Sequence, residues 1–185
     1  RNRLVDLIGS FPDKIFIADS RNYSDFYNGA YRKMNDTEAA VLCGIQKEPG
    51  DVVLYSEVKE AATVLFKKYG KPLFITRGDR GSVIISDSGI TDVCGLMILS
   101  KVDTVGAGDS YLAGAAATLA AGYDMDIAAE IGTYVAGVTV QKLFQTGTAS
   151  PSEILQIGED ADFIYSPELA EDIRHAKYFE ETEIE

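Results

Sequence analysis

Histidine and cysteine are scarce in this chain of 185 residues, which contains one histidine and two cysteines. The histidine, His175, lies near Arg174 and Lys177 in the tail, as is typical of a surface residue, so no Ser-His-Asp hydrolase site can be built around it. Cys43 and Cys94 lack metal-ligand spacing. Two such thiols are typical of buried small hydrophobic residues in a reducing compartment, which favours a cytoplasmic protein.

Long apolar runs and positive charge are lacking as well. No run approaches the roughly 18 apolar residues that span a bilayer, and the opening RNRLVDLIGS lacks the apolar stretch of a secretory signal. Seventeen basic residues against 29 acidic ones give a net charge of −12, which repels phosphate backbones and anionic lipids. We therefore expect neither nucleic acid nor membrane as a partner. The first residue is not Met, from which we expect that the chain begins inside a larger gene product.

The chain does have a high hydrophobic content, 46%, enough for a sizeable core in one α/β domain. Periodicity and turn signals predict alternating helices and strands. This order predicts a three-layer, doubly wound α/β fold with a mostly parallel sheet. The predicted elements are a helix around Leu4–Ile8, strand KIFIAD, a helix over 36–43, a helix N-capped by Ser56 and ended by Gly70, strand PLFITR, short β-runs between 81 and 99, and helices over 107–121 and 125–143.

The most informative segment is a glycine-rich turn, Val102–Ser110, which opens the Ala- and Gly-rich helix. Gly106, Ala107 and Gly108 are predicted to leave their backbone N–H groups open at a helix N-terminus, where a phosphate can bind. Asp109 could then accept a proton from an alcohol. The alternative is a plain helix start with a stabilising Asp. The turn is not a P-loop, because no Lys-Ser/Thr follows, and its third glycine comes too late for a dinucleotide fingerprint.

The motif DTVGAGDSYLAG resembles the C-terminal signature of the ribokinase-like PfkB carbohydrate kinases. The resemblance implies ATP-dependent phosphorylation of a sugar hydroxyl, with Asp109 as the base and the N–H groups of residues 106–108 as an anion hole. It also assigns Thr104 to the nucleotide site and a monovalent cation such as K⁺ to Asp103. Residues 1–157 would be the C-terminal, ATP-binding part of a ribokinase-like domain. Residues 158–185 would be an acidic tail with a short helix starting at Ser166, and either a linker or a surface-packed segment.

Three further segments resemble the family in the same order along the chain. Asn35-Asp36-Thr37-Glu38 resembles its N-x-x-E motif, in which Asn35 and Glu38 would organise Mg²⁺ and the phosphates; a simple helix start is the alternative. The segment 76–81 resembles a T-x-G-x-x-G turn along the nucleotide, although a plain β-turn also explains it. KLFQTGTAS, 142–150, resembles the loop over adenine. The residues so assigned to the nucleotide are Thr76, Gly78, Gly81, Gly147 and Thr133, the last standing where many relatives carry Asn.

Within the superfamily, the chain resembles the kinase domain of bacterial bifunctional heptose kinases, through segments such as AGVTVQKLFQTGTASPSEI and Tyr27-Asn28-Gly29-Ala30. This implies a heptose 7-phosphate acceptor, and it allows a homodimer. Other PfkB acceptors, such as nucleosides, fructose phosphate or vitamin-like alcohols, and a non-catalytic nucleotide-binding domain are the alternatives. The family's sugar-binding Asp and Gly-Gly motifs have no counterpart here, so we expect the chain alone to bind nucleotide weakly and to phosphorylate nothing.

Overall fold

The computed structural model describes residues 1–47, 52–144 and 147–159, and the backbone of 164–165. The chain divides into two compact units. The first contains Arg1–Thr76 and Val83–Thr91, and the second contains Arg77–Ser82 and the described residues from Asp92 onward. The predicted tail helix at Ser166, the linker and His175 lie outside the described residues.

The first unit carries three helices and a five-stranded sheet, except the first residue of the fourth strand and the last two of the fifth. The elements are α1 (Asn2–Ser10), β1 (Ile17–Asp19), β2 (Tyr31–Asn35), α2 (Asp36–Leu42), α3 (Tyr55–Tyr69), β3 (Leu73–Thr76), β4 (Ser82–Ser86) and β5 (Gly89–Val93). The strands lie in the spatial order β1-β2-β3-β4-β5, and β1, β2 and β3 are parallel. Only two residues join β4 to β5, as in an antiparallel hairpin.

The core of this unit lies between the sheet and helices α2 and α3. Alternate residues of β2 and β3, Met34, Leu73 and Ile75, are buried against Val58 and Leu65 of α3. The helix α3 ends, as predicted, at Gly70, which takes the left-handed conformation with φ 60°. The predicted N-cap Ser56 is wrong. The helix begins at Tyr55, and Glu57 accepts a hydrogen bond from the N–H of Leu54 at 2.8 Å.

Sequence patterns did not identify β2, because its centre carries two adjacent basic residues. Both are buried, with Arg32 1% and Lys33 6% exposed. Arg32 Nε donates to the carbonyl of Ser24 at 2.8 Å, and the guanidinium lies 4.6 Å from the ring centroid of Tyr69. Lys33 Nζ donates to Asp19 at 2.8 Å. Each charge thus has a partner that offsets its desolvation, which hydrophobic periodicity cannot reveal.

The second unit is organised around two long helices. Its elements are β6 (Gly95–Leu96), α4 (Ala107–Ala120), α5 (Met125–Val140), α6 (Pro151–Glu159) and β7 (Ile164–Tyr165), and β6 pairs antiparallel with β7. A Cβ on Gly132 would lie 2.9 Å from the carbonyl oxygen of Tyr111, and one on Gly114 would lie 2.9 Å from Val135. The predicted close packing of the small-residue helix α4 is confirmed, with α5 as its neighbour.

Some boundaries and burial states differ from the predictions. The helix α5 ends at Val140 and not at Leu143, and Phe144 has a positive φ of 61°, which no helix accommodates. Cys43 and Cys94 were expected to be buried but are only partly so. The short helix α6 was not predicted. In the part of the chain that the structure describes, no helix has the length and apolar character needed to cross a membrane.

Candidate active site

The glycine-rich turn forms the N-terminus of α4. Gly106 is the N-cap, with φ 80°, a conformation that glycine adopts without strain. The N–H of Ala107 donates to the carbonyl of Thr104 at 3.1 Å, and that of Ser110 donates to Gly106 at 2.9 Å. Among the described residues, nothing accepts a hydrogen bond from the N–H groups of Gly106, Gly108 or Asp109.

This pattern corrects the predicted anion hole at one position. The N–H of Ala107 is consumed by the turn, so the prediction that it is open is wrong. The N–H of Gly108 is open as predicted, and the N–H of Asp109 is open in addition, because second and third helical residues point their N–H groups out of the helix end. With the helix dipole, they offer an anion about half a positive charge.

Asp109 lies in the first turn of α4, and its side chain is exposed. The helix is capped by Gly106 without a side-chain hydrogen bond, so the carboxylate is not a cap. An exposed carboxylate one residue from open N–H groups can accept a proton from a bound alcohol. Its location agrees with the predicted base, and that role stays a prediction.

Asp103 and Thr104 shape the entry to this turn. The carboxylate of Asp103 accepts a hydrogen bond from the N–H of Val105 at 3.1 Å, and its own N–H donates to Val140 at the end of α5 at 2.8 Å. Thr104 is exposed and supplies the carbonyl that accepts from Ala107. The turn is therefore fixed to α5 by main-chain hydrogen bonding.

In the first unit, Asn35 and Glu38 form a capping box at the start of α2. The side chain of Asn35 accepts from the N–H of Glu38 at 2.7 Å, and the Glu38 carboxylate accepts from the N–H of Asn35 at 3.0 Å through Oε2. The predicted alternative, a plain helix start, is therefore present. The other oxygen, Oε1, lies 3.5 Å from Nε of the exposed Arg21. This oxygen lies outside the capping box and could still face a ligand.

Thr76 lies beside Asn35, because the two residues pair in register at the carboxyl ends of β3 and β2. Its hydroxyl donates to the carbonyl of Met34 at 3.3 Å. Carboxyl ends of parallel strands are the usual place for ligands in open α/β sheets. The structure thus brings together the predicted residues Asn35, Glu38 and Thr76.

Gly78 and Gly81 bound a single 3-10 turn in the second unit, with φ of 65° and 82°. The N–H of Arg77 donates to the carbonyl of Gly81 at 2.8 Å, which closes the turn. A Cβ on Gly81 would lie 2.0 Å from the carbonyl oxygen of Val93. These glycines are thus required by the backbone itself, whatever their relation to a nucleotide.

Thr133 and Gly147 also have structural partners in the second unit. Thr133 is buried, and its hydroxyl donates to the carbonyl of Ala129 one turn earlier at 2.9 Å. A Cβ on Gly147 would lie 2.8 Å from the carbonyl oxygen of Thr139, so glycine is needed for close approach to α5. Their predicted contacts with a nucleotide stay predictions.

Sequence reasoning did not assign two ion pairs near these segments. Lys33 at the centre of β2 pairs with Asp19 at the end of β1, and Lys142 Nζ lies 2.8 Å from the carboxylate of Glu153. Glu153 also accepts from the N–H and hydroxyl of Ser150, both at 2.7 Å. Lys142 and these Ser150 contacts lower the pKa of Glu153 to about 2. The spacing Ser-x-x-Glu was the available signal, since it is a capping box.

Comparison with solved structures defines the class of protein. Thermotoga maritima ribokinase matches 84% of this chain and 52% of its own, with TM-score 0.69 and 20% identity. Escherichia coli phosphofructokinase-2, solved in complex with potassium, matches 84% and 50%, with TM-score 0.69 and 19% identity. The fold is therefore ribokinase-like, and the predicted α/β class with a mostly parallel sheet is confirmed.

Sequence comparison then gives the family. The pfkB family carbohydrate kinases match residues 22–154, and this chain belongs to that family. "Bifunctional protein HldE" of Pelobacter propionicus is 38% identical over 96 residues, 51% of this chain and 20% of the relative. The protein of the same name from Trichlorobacter lovleyi is 29% identical over 135 residues, 72% of this chain and 26% of the relative. The chain thus spans about a fifth to a quarter of these relatives.

Proposed function

We propose that this chain supplies the nucleotide site and the catalytic base for ATP-dependent phosphorylation of a sugar hydroxyl. The observation that carries this proposal is the N-terminus of α4, where the N–H groups of Gly108 and Asp109 are open beside the exposed Asp109 carboxylate. ATP would supply the phosphoryl group. Phosphoryl transfer asks the protein mainly for positioning and charge stabilisation, and each well-placed N–H group can contribute about 3 kcal/mol.

In this proposal each group has a separate task. The N–H groups at 106, 108 and 109 bind the phosphoryl oxygens, and Asp109 takes the proton of the attacking hydroxyl. The side chain of Asp109 is exposed, so the hydroxyl group of an acceptor can reach it. Thr104, Thr133 and Gly147 of this unit, together with Gly78 and Gly81, are assigned to the nucleotide by family resemblance.

Mg²⁺ is assigned to Asn35 and Glu38 in the first unit. Asn35 and Glu38 would contribute at most an amide and a carboxylate oxygen, and water and phosphate would complete the coordination. This fits Mg²⁺, which keeps several waters and binds phosphates. Glu38 Oε1 lies outside the capping box, and a cation bound there would replace the exposed Arg21 as its partner. Thr76, next to Asn35 in register, is assigned to the nucleotide by family resemblance.

A monovalent cation is assigned to the carbonyl-rich turn at Asp103. The solved phosphofructokinase-2 in complex with potassium supports K⁺ as the ion. The carboxylate of Asp103 keeps one oxygen outside its hydrogen bond to Val105. Bound there, K⁺ would stabilise the turn that presents the open N–H groups.

The acceptor we propose is a heptose 7-phosphate, in a cytoplasmic enzyme. Support comes from the resemblance to bifunctional heptose kinases and from the relatives named Bifunctional protein HldE. The chain covers a fifth to a quarter of those relatives, so the acceptor concerns the whole protein.

The test is Asp109→Asn in a protein that joins this chain to the rest of a kinase domain. We expect turnover to fall about 10²- to 10⁴-fold, with the ATP dissociation constant nearly unchanged, because only the base is removed. Asp126→Asn is the matched control, since Asp126 is also exposed in the first turn of a helix, α5. Full turnover with Asn at position 109 would refute the proposal, and would favour a nucleotide-binding domain without catalysis.

A further inference from the structure

Arg21 lies beside Glu38 but is held there only weakly. Its Nε lies 3.5 Å from Glu38 Oε1, and its side chain is 86% exposed. Among the described residues, nothing accepts a hydrogen bond from the Arg21 guanidinium. An exposed ion pair of this kind contributes little to stability, because water and salt screen it and a long side chain must be ordered. The contact therefore does not explain why an arginine stands at this position.

The main chain at Arg21 is, by contrast, fixed by buried groups. Arg21 belongs to the loop of residues 20–30, which joins β1 to β2. The hydroxyl of the buried Ser24 donates to the carbonyl of Ser20 at 2.6 Å, one residue before Arg21. The buried Arg32 in turn donates to the carbonyl of Ser24 at 2.8 Å. The loop thus presents Arg21 from a fixed position.

The same loop is also attached to α3. Asp25 accepts a hydrogen bond from the hydroxyl of Tyr69 at 2.7 Å and pairs with Nζ of Lys68 at 2.8 Å. Lys68 and then Tyr69 lower the pKa of Asp25, so this carboxylate is charged at neutral pH and keeps both partners. The side chain of Arg21 can therefore change its partner while the loop stays in place.

The charge around Arg21 favours an anion as that new partner. Arg21 follows Asp19, the last residue of β1, by two positions, so it lies at the same edge of the parallel sheet as Asn35, the last residue of β2. Lys33 pairs with Asp19 at 2.8 Å, so its charge is already balanced there. In a chain of net charge −12, the exposed guanidinium offers a phosphate a local cation. Its planar fork of N–H donors matches phosphate oxygens in pairs.

We propose that Arg21 binds the phosphate groups of the nucleotide that Mg²⁺ accompanies. The guanidinium lies at the Glu38 oxygen to which the cation is assigned. A cation bound to that oxygen displaces Arg21, and the phosphates that bind the same cation arrive beside it. Arg21 then exchanges a carboxylate for a phosphate as its partner. The proposal rests on the proposed assignment of Mg²⁺ and the nucleotide to Asn35 and Glu38, and it adds a nucleotide-binding residue to them.

A simpler alternative is that Arg21 only competes with the cation for Glu38. The two cases predict changes of opposite sign when Arg21 is removed. Mg²⁺-ATP binds more weakly if the guanidinium holds phosphate, because a charge-assisted hydrogen bond is lost. It binds more tightly if the guanidinium only blocks Glu38, because the competitor is lost. The direction of the change therefore decides between them.

The test is Arg21→Ala in a protein that joins this chain to the rest of a kinase domain. Calorimetry without a sugar gives the dissociation constants of Mg²⁺-ATP and of adenosine, so that turnover does not enter the measurement. We expect the constant for Mg²⁺-ATP to rise about tenfold, and that for adenosine, which has no phosphate, to change less than about twofold. Arg21→Lys keeps the charge but loses the planar fork, so the rise should be about threefold.

Lys67→Ala is the matched control, since it changes the net charge by the same amount. Lys67 is exposed in the last turn of α3, which leads into the start of β3 and so lies at the other end of the sheet from Asn35. The substitution should change the dissociation constant of Mg²⁺-ATP less than about twofold. Urea unfolding should give the same midpoint for the parent, for Arg21→Ala and for this control, because neither side chain holds the fold together.

Four results would overturn the proposal. The first is unchanged or tighter binding of Mg²⁺-ATP by Arg21→Ala. The second is equal weakening of adenosine, and the third is equal weakening by the Lys67 control. The fourth is a rise in the KM of heptose 7-phosphate alone, which would assign Arg21 to the phosphate of the acceptor. In each case Asp109→Asn would still report on the base, so failure of this proposal is distinguished from failure of the proposed function.

Discussion

At the scale of single residues, two glycines determine how closely the Gly78–Gly81 turn can approach β6. A Cβ on Gly95 would lie 1.7 Å from the carbonyl oxygen of Asp79, and one on Gly81 would lie 2.0 Å from that of Val93. Both obstacles are backbone atoms, which cannot rotate away as a side chain does. Gly81 additionally has a φ of 82°. The glycines that resemble a nucleotide motif are therefore also structural.

Gly95→Ala should destabilise the protein by about 3 kcal/mol, because the backbone must shift to admit the methyl group. Urea unfolding monitored by circular dichroism gives the free energy of unfolding. Gly9→Ala is the control, since a Cβ at this helical position meets nothing within 4 Å. The control should be neutral or stabilising by up to about 1 kcal/mol. Equal effects of the two substitutions would contradict the close approach.

Glu38 has an observed role in the capping box and a proposed role at Mg²⁺, and one substitution can separate them. Glutamine preserves a capping box but has no charge for a cation. Glu38→Gln should therefore keep the free energy of unfolding within about 0.5 kcal/mol. In a complete kinase it should raise the Mg²⁺ concentration required for half-maximal turnover severalfold.

Asn35→Ala is the counterpart of that substitution, because it removes the cap and should cost about 1 kcal/mol. An unchanged Mg²⁺ requirement with Gln at position 38 would leave Glu38 a purely structural residue.

At the scale of elements, sequence patterns located most helices because their signals are local. The apolar spacing of α1, the glycine after α3 and the small residues of α4 are each readable within one segment. The strand β2 was missed because Arg32 and Lys33 are stabilised by residues distant in the sequence, Ser24, Tyr69 and Asp19. The candidate site differs, because its missed contact is local. The sequence indicates the glycine turn, but which N–H group the turn itself uses depends on its backbone angles, and the structure shows that it is the N–H of Ala107, which donates to Thr104.

The start of α6 makes a pH-dependent contribution to stability. The contact with Lys142 is the largest cause, and the hydrogen bonds from Ser150 add to it. Together they lower the pKa of Glu153 to about 2, below its ordinary value of 4.5. A carboxylate with a lowered pKa stabilises the fold above pH 4.5, and this contribution is lost as the pH falls toward 2. Glu153→Gln should therefore flatten the decline of stability across this pH range. Thermal unfolding at successive pH values measures it, and an unchanged pH profile would contradict the ion pair.

At the scale of the whole molecule, the kinases that this chain resembles are longer than the part of them that it matches. Relatives are four to five times the length that this chain covers, and solved kinases about twice. Sequence motifs could indicate the proposed nucleotide site because DTVGAGD is contiguous. They could not define the acceptor, because the family's sugar-binding motifs have no counterpart in this sequence.

The 185-residue chain by itself should therefore show no sugar-dependent ATP turnover. A coupled ADP assay with heptose 7-phosphate and a panel of other sugars measures this, and calorimetry should find only weak ATP binding. An active complete kinase assayed in parallel is the control. Sugar-dependent turnover by these residues alone would mean that they contain an acceptor pocket.

The exposed apolar side chains of Leu4, Leu7, Phe11 and Ile15 and the net charge of −12 have opposite effects on self-association in solution. Molecules of like charge repel over roughly a Debye length, about 10 Å at 0.1 M salt, which hinders contact between two apolar surfaces. Added salt shortens that range. We therefore expect the purified chain to self-associate more readily as the ionic strength rises.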